Sequence, residues 1–232
     1  MATSPTVSSP NGKKLVKTKS GLRMINIIED ERSPFEIEEP IWKPDSDQMI
    51  CDKCGVRFSF TTRKHHCRRC GKIFCGSCCT AKVSLPRLSF VDPQRVCTDC
   101  INVSKSESEL FNNVLPILCK GAEFHLNDQT DVVSCKLEAK LNRNLIFTTS
   151  NKVEMQETVY LKDITTFQCL TDPLQTDKNG KGKLVGVNMK YIADNTTREL
   201  KMQVSNEIRN QKESLTFLIM LQKAMKMIFD AS

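Results

Sequence analysis

No run in this 232-residue chain approaches the ~18 consecutive apolar residues of a membrane-spanning helix; its longest late apolar stretch, Phe217 to Leu221, is far shorter. The first residues, Met1 to Lys14, hold no apolar core for export, so no secretory signal is expected. Sustained heptads, low-complexity repeats and collagen triplets are absent, which removes the coiled-coil and fibrous classes. A chain that stays in the cytosol meets reduced glutathione, so its thiols are expected as metal ligands rather than disulfides. That matters because cysteine is abundant: there are 12, and nine of them lie between residues 51 and 100.

Charge is equally uneven. Residues 1–40 hold six basic and six acidic side chains, residues 41–100 hold eleven and five, and residues 101–232 hold seventeen and sixteen. Nearly all of the formal net charge of +7 therefore sits in the cysteine-rich quarter, which calls for an anionic partner. Residues 1–40, with few aromatics and no clear period, read as a disordered N-terminal segment. Residues 104–119 read as a helical linker in which Pro116 ends or kinks the helix. Beyond it, alternating segments at 121–126, 132–139, 143–149, 158–170, 184–192 and 197–204 read as strands, and 207–229 as one closing helix.

The cysteines form four Cys-x2-Cys pairs: Cys51 and Cys54, Cys67 and Cys70, Cys75 and Cys78, Cys97 and Cys100. A two-residue spacer lets both thiolates of a pair grip one ion, and two pairs complete the closed S4 shell of a structural zinc site. Eight ligands imply two structural Zn2+ with no open position for hydrolytic chemistry, so catalytic residues are not expected. Spacing leaves three ways of combining the pairs. Cys79 is the spare thiol beside them. Gly55 and Gly71 each follow the second Cys of a pair, where the chain must turn back past the sulfurs.

The densest cationic stretch, Arg63-Lys64-His65-His66-Cys67-Arg68, runs through the third ligand, so the metal fixes its backbone. Converging guanidinium, ammonium and imidazole donors suit a phosphate. Together with Trp42-Lys43-Pro44-Asp45 and Arg95-Val96-Cys97, this stretch resembles the FYVE zinc-finger family, over about residues 41–103. The resemblance implies a small zinc-stabilised α+β module with interleaved ligation, Cys51, Cys54, Cys75 and Cys78 on one ion and Cys67, Cys70, Cys97 and Cys100 on the other. It implies binding of phosphatidylinositol 3-phosphate on endosomal or vesicle membranes. Trp42, Asp45, Arg63, Lys64, His65, His66, Arg68 and Arg95 would then form the lipid site. Phe60 and Thr61, in the loop just before the basic stretch, would enter the bilayer.

Residues 120–232 resemble a mainly-β pleckstrin-homology-like barrel capped by the C-terminal helix. The first hairpin loop, Asn127 to Asp131, has two acids and no base, so no second phosphate site is expected there. The leading reading is a non-enzymatic adaptor: the finger recruits it to membrane and the C-terminal domain binds an unidentified protein. The order of the two modules resembles that of one FYVE relative whose description implies cell-adhesion turnover and motility, at focal adhesions. The alternatives are a RING-like ubiquitin ligase, which shares eight-ligand interleaved zinc, and a nucleic-acid-binding zinc protein. The ligase usually needs a His among its ligands. Nucleic acid needs stacking aromatics, for which Phe58 and Phe60 are the candidates, and it is not expected as a partner.

Overall fold

The computed structural model describes residues 13–26, 32–149, 154–176, 180, 182–204 and 208–230. They divide into two compact units, one through Arg32 and over Glu36–Phe111, the other Ser33–Phe35 with the chain from Asn112 onward.

The first unit opens with an antiparallel hairpin, β1 (Lys13–Lys17) and β2 (Leu22–Asn26). This corrects the expectation of an unfolded segment over that stretch. The hairpin is held by tertiary contacts that local composition does not announce. The Met24 N–H donates to the Ser89 carbonyl (2.8 Å), and the Val91 N–H donates to the Leu22 carbonyl (3.0 Å). Arg23 crosses between them: Nε donates to the Leu88 carbonyl at 2.8 Å, Nη1 pairs with Glu39 at 2.7 Å, and the guanidinium lies 5.4 Å from the Phe90 ring centroid.

The finger itself is two short ribbons, β3 (His65–His66) with β4 (Ile73–Phe74) and β5 (Ala81–Val83) with β6 (Gln94–Val96). Tight turns at the first two cysteine pairs close on N–H donation from Gly55 to Cys51 and from Gly71 to Cys67. Gly71 is in the left-handed region, and a Cβ there would lie 2.3 Å from the Ile41 carbonyl oxygen, so only glycine fits. The apolar core is small: Phe74, Leu85, Leu88, Phe90 and Val96 pack among the buried cysteines.

Helix α1 (Ile101–Glu109) starts directly after Cys100. It is tied to the finger by Glu107, only 3% exposed, which accepts from Arg69 at 2.8 and 3.1 Å and from Arg87 at 3.3 Å. The chain continues through a π turn at Leu110–Val114 into α2 (Leu115–Lys120). Pro116 follows directly on the π turn, which absorbs the change of register that a proline without an N–H imposes on the continuous helix.

In the second unit, strands β7 (Ala122–Leu126), β8 (Val132–Leu137), β9 (Asn144–Thr148), β10 (Glu154–Tyr160), β11 (Ile164–Thr176), β12 (Gly182–Ala193) and β13 (Thr196–Gln203) form one antiparallel sheet. Their order is β10-β9-β8-β7-β13-β12-β11. The strand expected over 158–170 is thus two strands, because a 3-10 turn at Leu161–Asp163 redirects the chain. The expected barrel does not close. Among the described residues β10 and β11 share no ladder, and only two residue pairs, Met202 with Leu126 and Gln203 with His125, join the halves. Helix α3 (Gln211–Phe229) covers the core with Phe217, Leu218, Leu221, Ala224, Met225 and Ile228, spaced three or four residues apart on one face. Phe217 meets Phe124 with ring centroids 5.4 Å apart. No helix among the described residues is long and apolar enough to cross a membrane.

Candidate functional site

The fold resolves the pairing that spacing left open. Cys51, Cys54, Cys75 and Cys78 bring their sulfurs within 4.8 Å of one another, and so do Cys67, Cys70, Cys97 and Cys100. The interleaving arises because β3 and β4 place the second and third pairs on opposite ends of one ribbon. A zinc ion with ~2.3 Å bonds to tetrahedral thiolates requires sulfurs about 3.8 Å apart; the Cys54 and Cys75 sulfurs are 3.7 Å apart. The chemistry also fits. Each group offers four thiol sulfurs and no other donor type, the set that a closed structural zinc site uses. Each cluster holds one Zn2+. Cys79 belongs to neither: it is fully buried, and burial, with the Cys67 and Cys97 thiolates nearby, pushes its thiol up to about 12.

The cationic residues are fixed around the second cluster. Trp42 and His66 approach with ring centroids 4.8 Å apart, and the Arg68 guanidinium lies 5.2 Å from the Trp42 ring centroid. His66 Nε2 is hydrogen-bonded to the Lys43 carbonyl at 2.7 Å, which excludes that nitrogen from metal ligation. Arg68 Nη1 donates to the His66 carbonyl at 2.8 Å, while its Nε is buried with no hydrogen-bond partner among the described residues. The Arg68 N–H donates to the Arg95 carbonyl (2.9 Å), and Arg95 Nη1 donates to the Cys79 carbonyl (2.6 Å). His65 lies beside these arginines. Burial and then the charges of Arg95, Arg68 and Arg63 hold its imidazole below the usual histidine range. Lys64 reaches the Asp45 carbonyl and lies 5.7 Å from the Phe58 ring centroid, which joins Asp45 to the same site. Arg63 is exposed at its rim.

Phe60 and Thr61 occupy the tip of a tight turn in which the Ser59 N–H donates to the Thr62 carbonyl and the Thr62 N–H to the Ser59 hydroxyl. The Phe60 side chain is 92% exposed, whereas Phe58 packs against the finger core. Sequence reasoning missed Glu39. Its two carboxylate oxygens take the Trp42 Nε1–H at 3.1 Å and Arg23, so it links the N-terminal hairpin to the Trp42 ring on which Arg68 and His66 rest. No motif marks that residue. In the second unit, Asp128 of the acidic hairpin loop is paired with Lys201 at 2.8 Å.

Comparison with known proteins matches residues 41–106 to the family described as FYVE zinc finger, and residues 109–232 to that described as zinc finger FYVE domain-containing protein 21 C-terminus. The chain is 50% identical over 66 residues to zinc finger FYVE domain-containing protein 9 of Homo sapiens. That match covers 28% of this chain and 4% of the relative's length. Among solved structures, the LM5-1 FYVE domain from Leishmania major is 36% identical over 30% of this chain and 83% of its own, with a TM-score of 0.28. The PH domain from TgAPH is 8% identical over 52% of this chain and 91% of its own, with a TM-score of 0.33.

Proposed function

Since the chain belongs to the family described as zinc finger FYVE domain-containing protein 21 C-terminus, with a FYVE zinc finger ahead of it, we propose that it is a membrane-recruited adaptor. In this reading the finger binds phosphatidylinositol 3-phosphate on endosomal membrane and the C-terminal unit holds a protein partner. The observation that carries the lipid assignment is the Arg68 side chain. It is pinned by His66 and Trp42, yet its Nε donor is buried without a partner within the described chain. A buried guanidinium N–H left unbonded is costly, and a small turn of the half-buried Arg68 side chain would bring it to a phosphate oxygen that satisfies it. Arg63, Lys64, His65, His66 and Arg95 converge on the same phosphate. Asp45 takes the inositol hydroxyls, and Trp42 walls that side. A bound phosphate dianion favours the protonated form of His65, which burial and the surrounding arginines disfavour.

The zinc ions have no chemical step here. Each one closes a turn and fixes the backbone from which these side chains project. Eight thiolates on two dications reduce the finger's formal excess from +6 to about +2, so its cationic character is concentrated in the pocket. The ubiquitin-ligase reading loses weight because all eight ligand positions are cysteine and His66 is engaged elsewhere. The nucleic-acid reading loses it because Phe58 is packed into the core and leaves Phe60 as a lone stacking ring. A role at focal adhesions rests on the order of the modules alone and has no residue assigned to it.

Phe60 separates membrane docking from head-group recognition. Burying the ring in lipid contributes ~1.5–3 kcal/mol. Phe60→Ser is therefore expected to weaken binding to vesicles containing the 3-phosphoinositide by roughly ten- to a hundredfold. Affinity for a soluble short-chain form of the same lipid, measured by calorimetry, should be unchanged. Equal loss in both assays would show that Phe60 supports the pocket and does not insert.

A further inference from the structure

The N-terminal hairpin lies outside the matched finger segment, and it exposes an aliphatic side chain on each face, Ile25 beside Arg23 and Leu15 on the other. The register pairs Val16 with Arg23, Leu15 with Met24 and Lys17 with Leu22. Arg23 anchors its face to the finger through Leu88, Glu39 and Phe90. Strand alternation then turns Leu15, Lys17, Leu22 and Met24 to the opposite face. Leu15, Lys17 and, in the turn, Lys19 are exposed, and neither lysine has a carboxylate partner among the described residues. Leu22 and Met24 are half-buried beside them. A face that combines exposed cations with an exposed aliphatic side chain fits the interface of an anionic bilayer, where the lysine stems and Leu15 meet acyl chains and the ammonium groups meet head groups.

The hairpin is also wired to the lipid pocket. Glu39 bridges Arg23 to Trp42, and Trp42 carries Arg68 on its ring. The turn itself, at Gly21, lies against Gln94, the neighbour of Arg95. We propose that this hairpin is a second, sequence-unspecific contact with anionic phospholipid, which adds to the head-group pocket within one folded unit. The proposal rests on the membrane reading of the finger. It answers a need of that reading, because no heptad supplies the avidity of a dimer.

The test uses the full chain and Lys17→Ala/Lys19→Ala in flotation with phosphatidylcholine vesicles, with or without 3-phosphoinositide and with or without phosphatidylserine. Zinc content and amide protection of the hairpin serve as fold controls. The wild type should bind about fivefold or more tightly when phosphatidylserine is added, and added salt should erase that gain. The variant should match the wild type on 3-phosphoinositide vesicles lacking phosphatidylserine and lose most of the gain when it is present. Full retention of the gain by the variant, or no gain in the wild type, overturns the proposal. Vesicles with phosphatidylserine alone score the hairpin independently, so failure of the pocket reading appears separately as no response to the 3-phosphoinositide.

Discussion

Chelating zinc from the full chain is expected to unfold the finger while the seven-stranded sheet stays folded. A structural Zn2+ contributes ~10–16 kcal/mol of apparent binding energy. An average domain has only ~5–15 kcal/mol of net stability. The finger has two such sites and a small core in which Ile73, Phe74, Leu85, Leu88, Phe90 and Val96 lie buried with the cysteines. Without the ions, eight thiols repel or lie buried with no function, and that core cannot close over them. The second unit depends on none of this. Phe124, Phe147, Leu145, Met189, Phe217 and Leu218 are fully buried there without a metal ligand among them. Hydrogen exchange should therefore show loss of amide protection over β3 to β6 and retention over β7 to β13. Protection that survives chelation in the finger would mean the thiol clusters are not metal sites.

The second large effect is expected from Arg68→Ala. A charge-assisted hydrogen bond contributes about 1.5–3 kcal/mol, and the guanidinium offers two or more donors to one phosphate. Loss of vesicle binding by at least about a hundredfold follows. Zinc content should not change, because Arg68 is no ligand and its backbone N–H keeps the bond to Arg95. Arg68→Lys retains the charge but not the planar fork, and should fall between. Wild-type binding by Arg68→Ala would remove this residue from the site and with it the argument from its unpartnered Nε.

The metal centres and the basic stretch were legible in the sequence because their chemistry is local. Four Cys-x2-Cys pairs announce two ions, and the contiguous stretch from Arg63 to Arg68 announces a cationic cluster beside them. What stayed hidden depends on distant contacts. The pairing of cysteines needed the β3–β4 ribbon. The hairpin over 13–26 alternates too weakly to stand out, and Arg23 finds Glu39 and Phe90 only in the folded unit. The turn at Leu161–Asp163 contains neither Gly nor Pro, so nothing punctuates the long strand that it splits. The open sheet is likewise hidden, because nothing in the sequence of β10 or β11 marks them as the two edges that share no ladder among the described residues. Glu107, which locks α1 to Arg69 and Arg87, resembles any surface helix glutamate in the sequence.

The most direct measurement of the central claim is flotation of the full, zinc-loaded chain with a panel of phosphoinositide vesicles matched for total charge. The proposed function, with Arg63 to Arg68 and Arg95 as its head-group site, predicts preferential binding to phosphatidylinositol 3-phosphate over the 4- and 5-monophosphates and over the bisphosphates. Equal binding across the charge-matched panel would contradict it, because a cationic surface responds to charge alone whereas a fixed pocket distinguishes where the phosphate sits.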